Sequence, residues 1–185
     1  MTIQNSLKAM ALSAVVLGPV GAASAAEPMK LTAMDYIEIE QLNSKYAFFI
    51  ENCTNKGYDY ADLYTADGEF GVSKEWGQPG KIYAKGRDAL AKAAGGGPDG
   101  CVDPKTQLGY GITHVIVDVV ITPTATGATG KSILLALGVG GNPTTIERQG
   151  GYEDVYVKTK DGWRMKTRYH VFPNIENSVQ FGKKK

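Results

Sequence analysis

The stretch from Thr113 to Phe172 constrains the fold more than any other part of the chain. It holds four runs rich in Val, Ile, Leu, Tyr and Thr: Thr113–Pro123, Lys131–Gly140, Gly151–Lys158 and Trp163–Phe172. Gly, Pro, Asn or Asp bound each run, as expected of β-strands separated by turns. Links such as Thr159-Lys160-Asp161-Gly162 are short. A link of that length joins antiparallel strands, because a parallel crossover needs many more residues. The pattern predicts an antiparallel meander. In the first run Val115, Val117 and Val119 alternate with His114, Ile116, Asp118 and Val120, and SILLALGV (132–139) is apolar throughout. A sheet with one wetted face alternates more cleanly. Both faces are therefore expected to be covered, one by helices and the other by a second subunit. His114 and Asp118 fall on one face of their strand, a polar pair in an apolar setting.

The chain has 185 residues, 43% of them hydrophobic, and a formal charge of +1. That suits one globular domain with a real core, expected over 27–185 with a Lys-rich tail at about 180–185. The near-neutral balance gives no electrostatic case for nucleic acid, and the terminal lysines read as a solvated tail. At the N-terminus Lys8 precedes the apolar run Met10–Gly18, followed by small residues ending in Ala23-Ser24-Ala25-Ala26. This is the order of a secretory signal, too short to span a bilayer. The expectation is a signal over 1–26, a mature chain with no membrane span, and a periplasmic or secreted location. Export permits a disulfide between Cys53 and Cys101, worth roughly 3–4 kcal/mol by loop closure. The alternative is a buried helix thiol and a loop thiol.

Thr32-Ala33-Met34-Asp35 reads as a capping box. Ile39, Leu42, Tyr46, Phe49 and Cys53 then recur at helical spacing, and Asn52, Asn55 and Gly57 mark the end of that amphipathic helix. A short helix is expected over Asp59–Tyr64, a turn at Asp67-Gly68, and a strand over Glu69–Ser73. Lys74–Gly80 reads as a loop containing Trp76, Ile82–Ala84 as a short strand, and Gly86–Leu90 as the opening of a small helix that stops at Gly95. Residues 95–111 form a Gly-rich loop of the length used by lids and binding loops.

Several familiar motifs are incomplete. The segment Thr126–Ser132 resembles a phosphate loop, but Ala125 stands at the first glycine position and a strand follows where a helix is needed. Gly138-Val139-Gly140-Gly141-Asn142 lacks the third glycine of a dinucleotide fingerprint. Two histidines, with no H-x-H or C-x-x-C, give no metal-site spacing, so neither metal nor cofactor is expected. There is no G-x-S-x-G elbow.

The order that remains is long helix, short helix, strand, small helix, then curved antiparallel meander. Within it stand Ile37–Leu42 with Tyr46 and Glu51, Leu63–Gly68, Gly86–Leu90, Thr113-His114, and Tyr152-Glu153-Asp154 leading to Asp161–Arg164 and Arg168. From about Leu31 to Phe172 the chain resembles the α+β cone of nuclear transport factor 2, and within it the SnoaL-like branch of polyketide cyclases and dehydratases. The resemblance implies a curved antiparallel sheet wrapped around N-terminal helices, enclosing an apolar pocket. It further implies that His114 faces that pocket as acid or base, with Glu51 in the position of the family's acid, usually Asp.

An imidazole can take and return a proton near neutral pH, as elimination and isomerisation require. The bland alternative is a hydrogen-bonded core histidine. An ideal helix turns Glu51 away from the Tyr46 face, so it reaches the pocket only where the helix breaks near Asn52; otherwise it is a solvated acid, and Asp59 is the alternative. Asp118 is placed to orient His114 or to pair with Arg168. Arg168 and His170 share a face of the last strand. Arg168 suits a phenolate, carboxylate or developing oxyanion, or a surface salt bridge. The Tyr46 hydroxyl suits a carbonyl or leaving group, its ring alternatively packing the core. Tyr58, Tyr60, Tyr64 and Trp76 are candidates for an aromatic lining, though ten tyrosines in an exported domain need no special cause.

The expected function is that of a cofactor-independent lyase on a hydrophobic aromatic or polycyclic small molecule, by dehydration or retro-aldol, deformylating carbon–carbon cleavage. An isomerase or cyclase of the same fold, and a non-catalytic periplasmic binding protein, are the alternatives. A homo-dimer or homo-trimer is expected from the apolar outer sheet face.

Overall fold

Asp35 explains how the fold begins. In the computed structural model, which describes residues 26–101, 112–138 and 146–172, helix α1 (Ala33–Asn52) opens on a complete capping box. The Asp35 carboxylate accepts the Thr32 backbone N–H at 2.8 Å, and the Thr32 hydroxyl accepts the Asp35 N–H at 3.3 Å. The other carboxylate oxygen accepts Trp163 Nε1 at 2.9 Å and Lys158 Nζ at 2.6 Å. One side chain thus caps the helix and ties it to the last hairpin. Lys158 first, then the Thr32 and Trp163 donors, hold the Asp35 carboxyl far below the usual carboxylate range.

Ile39, Leu42, Tyr46 and Ile50 form the buried stripe of α1, with Asn43 beside them. The stripe reaches Ile50, whereas Phe49 is only partly buried, because steps of three, four and four track a 3.6-residue turn more closely than the expected alternative. The helix stops at Asn52, and Cys53, Asn55 and Lys56 follow in left-handed conformation at φ 46, 48 and 58°. A 3-10 turn (Thr54–Gly57) and the short helix α2 (Tyr58–Ala61) replace the single helix expected over Asp59–Tyr64. Strand β1 begins at Tyr64 and runs to Ser73, so Asp67-Gly68 is a register break inside a strand, not a turn before one.

Strand β2 (Lys81–Lys85) and helix α3 (Arg87–Ala93) come next. Beyond α3 the chain packs tightly on the 3-10 turn: a Cβ at Gly96 would stand 1.8 Å from the Lys56 carbonyl oxygen, so only glycine fits. Cys101 is joined to Cys53 by a disulfide, with Cα atoms 6.3 Å apart. The meander is β3 (Ile112–Thr124), β4 (Gly127–Gly138), β5 (Ile146–Thr159) and β6 (Gly162–Val171). The expected signal segment to residue 25, the loop from 102 to 111, the end of the second run at 139–140 and the Lys-rich tail lie outside the described residues.

The six strands form one sheet in the order β2-β1-β6-β5-β4-β3. All neighbours are antiparallel except β1 and β6, which pair in parallel, so the sheet is mixed beyond the predicted meander. Irregularities in β1, β3 and β5 bend it. Helix α1 packs across β3 and β6, and the core lies between helix and sheet around Leu42, Tyr46, Tyr60, Leu134, Tyr152 and Met165. The outer face carries Val117, Ile133 and Val155 at 39–41% exposure, with Val117 and Ile133 directly paired. Trp76 lies on that same face against Gly151, where an added Cβ would meet the indole at 2.4 Å.

Candidate active site

Between α1 and the inner sheet face is a cavity of about 370 Å³, within the range of small-molecule sites. Its floor and walls are mostly apolar: Ile50 from α1, Phe70 and Val72 from β1, Leu134 and Ala136 from β4. The wall residues that carry polar groups are Tyr46 on α1, Tyr83 on β2, Lys92 on α3, His114 on β3, Tyr152 on β5 and His170 on β6. The rings stand in series, His114 at 6.1 Å from Tyr46, Tyr46 at 5.3 Å from Tyr152, and Tyr152 at 5.2 Å from His170.

Glu51 meets His114 without lining the cavity. Its Oε1 accepts both the His114 backbone N–H at 2.5 Å and the ring Nδ1 at 3.1 Å. Because α1 ends one residue later, the carboxylate projects sideways onto β3 and holds the imidazole from behind. With Nδ1 as the donor, Nε2 is the nitrogen able to take a proton.

Arg168 occupies a different place from the one expected. It is fully buried and absent from the cavity wall, so it does not contact a molecule bound there. Its Nε and Nη2 donate to the two oxygens of Asp154, each at 2.8 Å, and Nη2 also donates to Asn43. The guanidinium carbon lies 4.3 Å from the ring centres of both Tyr46 and Tyr152. Burial is the largest influence and works against its charge, but the Asp154 carboxylate together with the Tyr156 and Tyr64 phenols outweighs it and holds the pKa well above the ordinary arginine value. Tyr156 completes the cluster, donating to Asp154 at 2.6 Å and accepting from Asn43 at 3.3 Å. Asp154, not Asp118, is therefore the partner of Arg168.

Asp118 sits exposed at φ 53° within a bulge between Val117 and Val120, which breaks the face it would have shared with His114. Tyr58 lies at the surface, bonded to Asp88 at 3.2 Å under the Arg87 guanidinium. Tyr60 is buried behind Tyr46 and bonded to the Tyr64 hydroxyl at 3.1 Å. Trp76 is on the outer face. None of these four, nor Tyr64, lines the cavity, whereas Tyr46, His114 and His170 do. Asp59, the alternative acid, accepts from Asn55 and is likewise absent from the wall.

Tyr152, Asp154, Tyr83 and Lys92 carried no site expectation. The alternation of Tyr152, Asp154 and Tyr156 along one strand face was the available signal for the first two; nothing in the sequence marked Lys92. Burial raises the pKa of Tyr46 and Tyr152, with Arg168 opposing it, so both phenols stay protonated donors at neutral pH.

A family model described as a SnoaL-like domain matches residues 32–169. Solved structures share the fold. A protein of the nuclear transport factor 2-like type with a cystatin-like fold, from Novosphingobium aromaticivorans, is 21% identical (TM-score 0.58, covering 75% of this chain and 81% of that one). A candidate scytalone dehydratase from the same organism is 24% identical (TM-score 0.52, 74% and 82%). Rv3472 of Mycobacterium tuberculosis, described as of unknown function, is 22% identical (TM-score 0.56, 74% and 70%). No curated protein matches the sequence.

Proposed function

The chain belongs to the SnoaL-like domain family, and from that premise we propose that it is a cofactor-independent lyase acting on a hydrophobic aromatic small molecule. One observation carries the reading: an imidazole in the wall of a mostly apolar cavity, its Nδ1 held by a carboxylate. In that setting Nε2 of His114 takes a proton from the substrate, from a carbon beside a carbonyl or from a hydroxyl. A proton lost from carbon leaves its electron pair on the carbonyl oxygen as an enolate, and in dehydration the pair returns to form a C=C bond as the C–O bond breaks. A proton lost from a hydroxyl leaves an alkoxide, which in retro-aldol cleavage collapses to a carbonyl as the C–C bond breaks. For dehydration, the imidazolium returns the proton to the departing hydroxyl, which leaves as water. For retro-aldol cleavage, the carbon–carbon bond breaks and the proton goes to the carbanion fragment. The Tyr46 and Tyr152 hydroxyls are the donors for the developing oxyanion, and the guanidinium behind their rings favours negative charge nearby. Arg168 thus acts through the phenols.

The Cys53–Cys101 disulfide supports an exported protein, since such bonds persist in oxidising compartments. The test is to screen the purified mature protein against aromatic diols and hydroxylated polycycles, with product mass as readout. His114→Ala is expected to abolish turnover with the unfolding midpoint retained. A variant that keeps the wild-type rate removes His114 from the mechanism.

A further inference from the structure

Resting on the reading that the cavity takes a hydrophobic aromatic substrate, we infer that Lys92 is an anion anchor at its mouth and that the preferred substrates are aromatic acids. The ring system would lie inside and the carboxylate at the rim.

The cavity has a depth order. Leu134, Ala136, Tyr152 and His170 are buried, while Tyr83 and Lys92 are the exposed members of its wall and so mark the opening. Lys92 is the one side chain of fixed charge among the described lining residues. Among the described residues no carboxylate lies within ion-pair distance of its ammonium, although Lys85, Lys131, Lys158, Lys160 and Lys166 each have one. A second ammonium, Lys81, lies 5.1 Å over the Tyr83 ring and also has no carboxylate partner among them. Glu51, the acid closest to the chemistry, stands behind His114 and does not line the wall. The opening therefore presents uncompensated positive charge at the edge of an apolar hollow.

The lysine stem is also held. A Cβ at Gly97 would stand 3.1 Å from Lys92 Cγ and 3.6 Å from Cε, so the bare backbone of the loop lies along the side chain. Gly97 has φ 122° and donates its N–H to the Lys56 carbonyl at 2.8 Å, and the loop ends at the disulfide through Cys101. A lysine whose stem is confined loses less side-chain freedom when its head engages an anion.

The experiment compares 2-naphthoate with its neutral isostere 2-naphthamide by calorimetric titration of the full mature chain at low salt. Wild type is expected to bind the acid about fivefold more tightly, the scale of a partly solvated ion pair. Lys92→Met, which keeps the stem, should erase the preference by weakening the acid alone. Lys92→Glu should reverse it, and about 0.5 M salt should shrink it in wild type. The inference is overturned if Lys92→Met keeps the preference, if wild type shows none, or if wild type binds neither probe. His114→Ala separates the two readings. Should it retain turnover while Lys92→Met loses acid preference, the lyase reading falls and the anchor stands; should the two results be the other way round, the anchor alone falls.

Discussion

A single oxygen of Glu51 receives two donors from His114, the backbone N–H at 2.5 Å and the ring Nδ1 at 3.1 Å. The carboxylate therefore fixes strand, ring and tautomer together. It also supplies a counter-charge when the ring gains a proton.

Glu51→Gln separates those contributions, because the amide oxygen can still accept both bonds while the charge is gone. The variant is expected to keep its unfolding midpoint and substrate affinity but to lose about 100-fold in kcat, a typical share for general acid–base catalysis. Steady-state kinetics check this; an unchanged kcat assigns Glu51 to packing alone.

Arg168 tests the buried cluster. Arg168→Met leaves the Asp154 carboxylate buried without its counter-ion, so urea unfolding should show a loss of about 3–5 kcal/mol. Adding Asp154→Leu should recover much of it, because the pair is then replaced by apolar groups. A double variant as unstable as the single one would show that the pair does more than neutralise itself.

Acid stability follows from Asp35. Its folded pKa lies below the ordinary 3.8, chiefly through Lys158. A depressed carboxylate stabilises the fold fully above its unfolded value; that contribution shrinks as pH falls below this value and is lost once pH passes through the folded one. Asp35→Asn is therefore expected to unfold at lower temperature than wild type at pH 7, with the gap closing as pH drops below about 4. Thermal melts from pH 3 to pH 7 measure this, and a gap of constant size contradicts it.

The outer sheet face gives a prediction about assembly. Val117 and Ile133 are paired neighbours, each about two-fifths exposed, with Val155 on the same face. We propose that a second copy covers them. Ile133→Glu should convert a sedimenting dimer or trimer into a monomer. Wild type sedimenting as a monomer at micromolar concentration would remove the proposal.

Local pattern made much of the fold readable. The capping box, the stripe through Ile39, Leu42 and Tyr46, and the four strands of the meander all follow from short-range spacing. Bulges hid the rest. Counting back from the Thr159–Gly162 turn sets Asp154 opposite Thr167; the shift between Val155 and Tyr156 sets it opposite Arg168 instead. The bulge after Val117 likewise cancels the alternation that put Asp118 beside His114. A one-residue slip changes which side chains meet, and no pattern of apolar residues announces it. Glu51 was readable in part: the helical wheel turned it from the Tyr46 face, but only the position of β3 showed what it would meet.

The placement of Trp76 gives the molecule a built-in optical gauge. The chain has two tryptophans: Trp163 is sealed at the base of α1, while Trp76 stays half-accessible over Gly151 on the sheet's far side. A soluble quencher should darken the second and spare the first. The quenched fraction would then fall with rising protein concentration if copies stack on that side, reporting association in the same cuvette in which Trp163 reports unfolding.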